Sequence, residues 1–406
     1  MAAKEREGAL IGYRVLDLTD SKGAYCTKLL ADMGADVVKI EPPQGDRGRK
    51  MPPFLNDEPH PEKSLYFLYR NANKRGVTLN LESDEGKEIL KKLAKSADVL
   101  IENFGPGYMD GLGLGYDVLK GINHKLIMAS ITEFGLDGPY RDYKGSNIVD
   151  FALSGVMITS GYSGKVPTLL PGTPAYDAAS VAANIQILAA LYCRDAIGKG
   201  QKIDVSVHEA ARTGLYPWSV PIYSYALTPD GPLPAPEGRL ATQIYPVYPC
   251  KDGLVRVIAI TPRNWQALVR VLGNPEVLLM PEWENFIYRI GNADDLYALM
   301  VEYTTKFTQI ELWEAGFREG VPIAPIYDIP TFTNSADATA RKFFIEVDHP
   351  VVGKGQYPGP PYKWTETPPS VRRPAPYLGE HNDEIYCGEL DFTKDDLIAL
   401  RYAGVL

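Results

Sequence analysis

The 406-residue chain is poor in the residues that announce a chemistry most readily. Its four cysteines, Cys26, Cys193, Cys250 and Cys387, lie far apart and form no C-x-x-C pair. That spacing excludes a cysteine-built zinc site and a disulfide framework, and implies small buried hydrophobes in a reducing compartment. Five histidines, at positions 60, 124, 208, 349 and 381, show no ligand spacing, so no metal is assigned. Basic residues are outnumbered 42 to 51, for a net charge of −9. Nucleic-acid binding, which needs a basic surplus, is therefore not expected. A small polyanion still fits where a few basic side chains cluster. No run approaches the roughly 18 consecutive apolar residues of a membrane helix. The opening MAAKEREGAL has no apolar segment of the signal-peptide kind. The expectation is a cytoplasmic protein with neither nucleic acid nor membrane as partner.

What is present is ordinary globular material, 45% hydrophobic and 23% charged, long enough for two domains or one large one. Strand and helix patterns alternate through the first half. YRVLDLT (13–19), ADVVKIE (35–41), DVLIEN (98–103) and KLIMASIT (125–132) read as buried strands. Between them, GAYCTKLLADMG, SDEGKEILKKLAKSA with Ser83 as a cap, and YDVLKGIN read as helices. This alternation predicts βαβ units on a parallel sheet, with ligands at the C-terminal strand ends, near Glu41, Asn103 and Thr132. A helix over 177–193 is apolar nearly all round and is expected to be buried. Proline-rich residues 226–244 read as a linker between a first part (1–225) and a smaller unit (245–330). Residues 331–406 carry a second long proline-rich stretch and end in a capped amphipathic helix.

Most standard motifs are absent. GLGLGY (111–116) lacks the G-x-G-x-x-G spacing, AIGKGQK is no Walker A loop, and neither H-E-x-x-H nor G-x-S-x-G occurs. Carboxylate chemistry is what remains. In PGTPAYDAASVAANIQILAALYC, Asp177 stands where a long helix begins. Two readings fit that stretch: an N-cap satisfying an orphan N–H, or a reactive carboxylate kept ionised by the helix N-terminus.

Six blocks in order, LLADMGADVVKIEPPQGD, NANKRGVTLNLESDEGKEIL, DVLIENFGPGYMDGLGLGYDVL, FGLDGPYRD, GKGQKIDVS and PAPYLGEHNDEI, resemble the class III CoA-transferase family. This group includes formyl-CoA and carnitine CoA-transferases, and the resemblance spans nearly the whole chain. It implies a Rossmann-like large α/β domain built from both chain ends, with a small α/β domain inserted. It also implies long linkers through which two subunits interlock, as a homodimer or as a heterodimer with a related subunit. Asp177 falls on the family's catalytic aspartate, which attacks an acyl-CoA thioester and becomes an aspartyl-CoA thioester before CoA passes to an acceptor acid.

Coenzyme A, as acyl-CoA substrate, is thus the implied ligand. Asn73, Lys74 and Arg75 match the segment along its nucleotide. Asn103 and Phe104 match a second contact segment, with Phe104 suited to stack on adenine. Arg47, with Arg49 and Lys50, supplies further charge. These candidates matter because this chain lacks several basic contacts usual in the family: Pro42, Gly111 and Thr132 stand where Arg, Arg and Lys are common. The first loop, TDSKGAYC, also lacks the usual Gln.

Val181, in place of a common Gly, is expected to narrow the pocket beside Asp177. A non-catalytic subunit of a heteromeric transferase is the alternative reading. An α-methylacyl-CoA racemase is disfavoured because Ser146 replaces the family's His, and neither Ser146 nor Asn147 titrates usefully near neutral pH. Resemblance to aromatic-degradation members suggests succinyl-CoA as donor and a dicarboxylic aromatic acid such as benzylsuccinate as acceptor. Lys22 and Lys165 are candidates to meet its second carboxylate.

Overall fold

The computed structural model describes residues 8–161, 165–215 and 245–406, with the backbone of two short strands, Leu227–Thr228 and Gly231–Pro232. Most of the linker expected at 226–244 lies outside the described residues. The chain divides into two compact units: residues 1–157, 169–226 and 339–406 form one, residues 158–168 and 227–338 the other. The smaller unit therefore takes in a second, earlier piece of chain and runs on to residue 338. Its C-terminal reach includes the helix Ile329–Thr333, which Asp328 caps through the Thr331 N–H at 2.8 Å.

The larger unit is built on six strands: β1 (Arg14–Leu18), β2 (Asp36–Glu41), β3 (Arg75–Thr78), β4 (Val99–Glu102), β5 (Ile127–Thr132) and β6 (Lys202–Ser206). Their spatial order is β3-β2-β1-β4-β5-β6, and every pairing is parallel. Side chains alternate between faces, as strand geometry requires. Val15, Val37 and Ile101 pack on one side with Cys26, Leu30 and Ile187; Leu16, Val38 and Leu100 pack on the other with Leu90, Leu119 and Leu397. Both faces are covered, so the central strands read as continuous apolar runs.

The helices are α1 (Ala24–Asp32), α2 (Leu65–Arg70), α3 (Asp84–Ala94), α4 (Tyr108–Gly111), α5 (Tyr116–Ile122), α6 (Asn147–Leu153), α7 (Pro174–Ile197) and α8 (Val207–Leu215). Ser83 caps α3 as expected, accepting from the Gly86 N–H at 3.0 Å, with Asp84 and Glu85 in the first turn and Lys91 and Lys92 in the last. Helix α7 begins three residues before Asp177, because Pro174 suits a first helical turn, and ends at Gly198, whose φ of 71° supplies the left-handed cap. It is not buried all round. Ala179, Ala183 and Ile187 face the core, while Val181, Ile185 and Tyr192 are exposed. Among the described residues no helix is long and apolar enough to cross a membrane.

The C-terminal proline-rich segment lies along its own chain. Asn73 accepts from the Arg372 and Arg373 N–H groups at 2.6 and 3.2 Å, and donates to the Ser370 carbonyl and to Asp32 at 2.8 and 2.7 Å. Gly76 in β3 carries no side chain for a steric reason: a Cβ there would stand 2.8 Å from Pro376. Further on, Tyr386 donates to the Thr78 carbonyl at 2.8 Å. In the smaller unit, three antiparallel strands pack on a core that includes Trp265, Trp283, Met300 and Leu312.

Asn73 carries much of the attachment of this segment from a left-handed conformation, φ 69°, which Asn tolerates and Ala does not. Asn73→Ala should lower the stability of the larger unit by about 2–3 kcal/mol in urea unfolding, leaving buried groups unpaired. Asn73→Gly should recover about 1 kcal/mol, the backbone share. Equal losses for the two variants would contradict this division.

Candidate active site

Strand order reverses sense between β1 and β4, the point at which open α/β sheets form a ligand crevice at the C-terminal strand ends. Here the two strands are followed by Asp20 and Asn103. The Asn103 side-chain oxygen accepts from the Asp20 N–H at 3.2 Å, and its amide donates to the Asp20 carboxylate. Above this link lies a cleft of about 860 Å³ whose lining includes Lys22, Arg47, Lys50, Asn103, Phe104 and Tyr108. Arg47 and Lys50 stand exposed on a 3-10 turn whose cap, Asp46, accepts from the Arg49 N–H at 3.3 Å. The Phe104 and Tyr108 rings lie 4.6 Å apart, and Tyr108 is anchored through its hydroxyl to Glu82 at 2.7 Å. The cleft thus combines an aromatic platform with exposed positive charge, which suits a phosphorylated nucleotide.

Of the residues expected to bind CoA, Arg47, Asn103 and Phe104 line this cleft, and Asn73, Lys74 and Arg75 do not. Lys74 is fully buried on Asp17 Oδ2 (2.9 Å), the Ala24 carbonyl (3.0 Å) and Asn71 Oδ1 (2.7 Å). Burial pulls its pKa down to about 8 against the restoring charge of Asp17. Arg75 starts β3, at the sheet edge opposite the cleft, and is held by Asp36, Glu384 and Glu389. Asn73 is used on the C-terminal segment. Arg49 is likewise spent: it grips Glu41 with two bonds of 2.7 and 2.8 Å and Glu62 at 2.7 Å. These four side chains hold the fold together. No motif in the sequence marks Tyr108 or Lys39, a third lysine of the cleft whose buried ammonium pairs with Asp46 at 2.5 Å.

Asp177 is not the N-cap of α7. Thr173 holds that position, and the Asp177 N–H already donates to the Thr173 carbonyl at 2.9 Å. Asn147 satisfies an orphan donor of the first turn by accepting from the Ala175 N–H at 3.0 Å. The Asp177 carboxylate is therefore left to side-chain partners. It meets Arg70 at 2.6 Å as an ion pair, with the aspartate side chain 37% exposed and the arginine 10%. Arg70, at the end of α2, also donates to Thr173 Oγ1 at 3.3 Å and lies over the Tyr66 ring, 4.4 Å from its centroid. Burial opposes its charge, but Asp177 and Tyr66 more than offset that and raise its pKa. Asp177 does not itself line the cleft, and one loop links the two. One turn beyond Asp177 on the first-turn side of α7, Ser180 donates to the Lys22 carbonyl at 2.9 Å, and Lys22 lines the cleft.

The CoA-transferase family III model matches residues 10–382. The chain belongs to CoA-transferase family III. It is 35% identical to the formyl-CoA:oxalate CoA-transferase of Streptomyces avermitilis, over 98% of this chain and 99% of that one. It is 33% identical to the succinyl-CoA:(R)-benzylsuccinate CoA-transferase subunit BbsE of Thauera aromatica, over 96% of each. A solved CAIB/BAIF family protein from Brucella suis superposes with a TM-score of 0.82 at 27% identity, covering 94% of this chain and 99% of that one.

As a family III CoA-transferase, the chain is an enzyme acting on CoA thioesters. Beside its Asp177 turn lies a second group of ionisable side chains. Glu133, just after β5, takes Lys22 and the Tyr176 hydroxyl, each at 3.3 Å. It faces Asp150 of α6, which is fully buried and has no hydrogen-bond donor on either carboxylate oxygen. Burial, then the charge of Glu133, pushes the Asp150 pKa up to about 8. Asp150 is thus held as the neutral acid near neutral pH. Lys165, the other lysine considered for a substrate carboxylate, is exposed in the smaller unit.

The folded chain keeps the Asp150 proton up to pH about 8, while the unfolded chain loses it near the ordinary 3.8. Between those values the unfolded state binds fewer protons, so stability falls as pH rises. Asp150→Asn, which mimics the neutral acid, should flatten the decline in melting temperature between roughly pH 5 and pH 8. An unchanged slope in the variant would show that Asp150 is ionised throughout.

Proposed function

We propose that the chain moves CoA from an acyl-CoA thioester to a free carboxylic acid through an aspartyl-CoA thioester on Asp177. The observation that carries this reading is an accessible carboxylate in the first turn of α7, free of capping duty and paired with a nearly buried guanidinium. Asp177 attacks the thioester carbonyl, forming a C–O bond and releasing CoA thiolate. The thiolate attacks the aspartyl carbonyl of the resulting anhydride, freeing the donor acid. An acceptor carboxylate then reverses both steps and returns Asp177 as the carboxylate. No proton is gained or lost over the cycle. In the cleft, Phe104 and Tyr108 would receive the adenine, with Arg47 and Lys50 at the phosphates. Lys22 would approach a second carboxylate on the acid.

The substrates we favour are succinyl-CoA and a dicarboxylic aromatic acid, in line with the printed activity of the Thauera aromatica relative. That relative is named as a subunit, and α7 exposes Val181 and Ile185 on the side of Asp177, one and two turns along. Both features favour assembly with a second copy or a related subunit. The expectation that Val181 narrows a pocket depends on what covers this face.

Peptide mass spectrometry after mixing with succinyl-CoA should find a CoA-sized adduct on the Asp177 peptide, converted to a hydroxamate by hydroxylamine. Asp177→Asn should abolish the adduct and lower turnover by about a thousandfold or more. A folded Asp177→Asn protein with wild-type transferase activity would refute the assignment. Phe104→Ala should raise KM for the CoA thioester by about tenfold with kcat retained, the loss of one stacked base. An unchanged KM would place the adenine elsewhere.

A further inference from the structure

We propose that Arg70 is the carboxylate-binding residue of the transfer cycle. Its guanidinium pairs with Asp177 in the resting chain and with the incoming acid while Asp177 carries CoA. The proposal rests on the reading of Asp177 as nucleophile.

The argument is one of charge bookkeeping at a fixed cation. The Arg70 side chain is 10% exposed, and Asp177 is the one carboxylate paired with it among the described residues. Its other neighbours, Thr173 Oγ1 and the faces of Tyr66 and Tyr25, are neutral. Tyr66 is itself fixed, its hydroxyl donating to the Ser21 carbonyl at 3.2 Å, so the guanidinium is walled by placed groups. When Asp177 becomes a thioester it loses its negative charge and Arg70 loses its counter-ion. A cation left unpaired in so enclosed a place is costly, far more so than an intact pair.

The cheapest relief is another carboxylate, and the cycle supplies one at that moment. An acid bound to Arg70 brings an oxygen to the place vacated by Asp177 Oδ1, next to the thioester carbon it has to attack. Its C–O bond then forms as the C–S bond breaks, giving the anhydride and CoA thiolate. Thiolate attack on the acid's acyl carbon forms the new C–S bond and breaks the C–O bond to Asp177. The aspartate regains its charge and its pairing with Arg70, which helps to displace the product's new, neutral thioester carbonyl from the guanidinium. A neutral nucleophile gains nothing from Arg70, so the same residue selects carboxylates over water or amines.

The test separates the two kinds of nucleophile on one intermediate. Enzyme is loaded with succinyl-CoA, or with formyl-CoA if that leaves no adduct, and the Asp177–CoA thioester is isolated. Its discharge by the donor's own acid, succinate or formate, is timed against its discharge by hydroxylamine. In Arg70→Gln, discharge by the acid should slow about a hundredfold while hydroxylamine acts within about threefold of the wild-type rate. Arg70→Lys, which keeps the charge but not the planar fork, should lose about tenfold in the same ratio; it also serves if the glutamine variant does not fold. Equal slowing for both nucleophiles would reduce Arg70 to a structural role, and an unchanged ratio in both variants would overturn the proposal. Variants that form no thioester would move the action of Arg70 to the attacking aspartate instead. Wild-type protein forming no adduct with either donor would sink the nucleophile reading itself.

Discussion

The site depends first on a lysine that never reaches it. Lys74 sits at the start of the third strand with its ammonium enclosed on Asp17, the Ala24 carbonyl and Asn71. Asp17 is the penultimate residue of the first strand and Ala24 begins the first helix, so this one cation ties both flanks of the loop over residues 19–23. Against the cost of burial, the charges of Lys74 and then Lys39 hold the Asp17 carboxylate ionised, and Thr19 and Thr27 add hydrogen bonds at 2.6 and 2.7 Å. Breaking such a pair from one side leaves an uncompensated charge in the core.

That loop is where the functional parts meet. Asp20 joins it to Asn103 across the reversal of strand order, and the Ser21 carbonyl holds Tyr66 against Arg70. The Lys22 carbonyl holds Ser180 of the long helix, and its ammonium reaches Glu133. Asp177, the cleft and the acidic pair are thus registered against one another by three consecutive residues, Asp20, Ser21 and Lys22. A parallel sheet makes this possible, since it delivers several strand ends to one edge.

The electrostatics of the chain follow from the same economy. With acids in excess overall, positive charge has to be placed rather than abundant. Arg49 and Arg75, with their carboxylate partners, join distant segments, while Arg47 and Lys50 keep their charge for solvent or ligand. Arg70 is intermediate, nearly buried yet opposed to a carboxylate that solvent can reach. The neutral Asp150 beside Glu133 fits this pattern, because two bare carboxylates sharing one enclosed place would repel each other.

Much of this was legible in the residues alone. The alternating periods of 2 and 3.6 foretold the parallel sheet, Ser83 foretold its helix cap, and ENFGPG placed Asn103 and Phe104 at the end of a strand. Asp177 stood out by being a lone carboxylate at the head of an apolar helix. What a linear reading could not separate were charges of identical type in identical loops. Arg47 and Arg49 are two residues apart, and one faces the cleft while the other is sealed on Glu41. Arg75 looked like a phosphate ligand until the fold brought Glu384 and Glu389 to it from 309 and 314 residues away. Arg70 carried no motif at all, and its importance comes from a salt bridge to a residue more than a hundred positions on. Local sequence determined which segments become strands and helices, because backbone periodicity and capping are decided within a few residues. Tertiary structure decided which charges are left free to act, because a charge is consumed or spared only by what folding sets beside it.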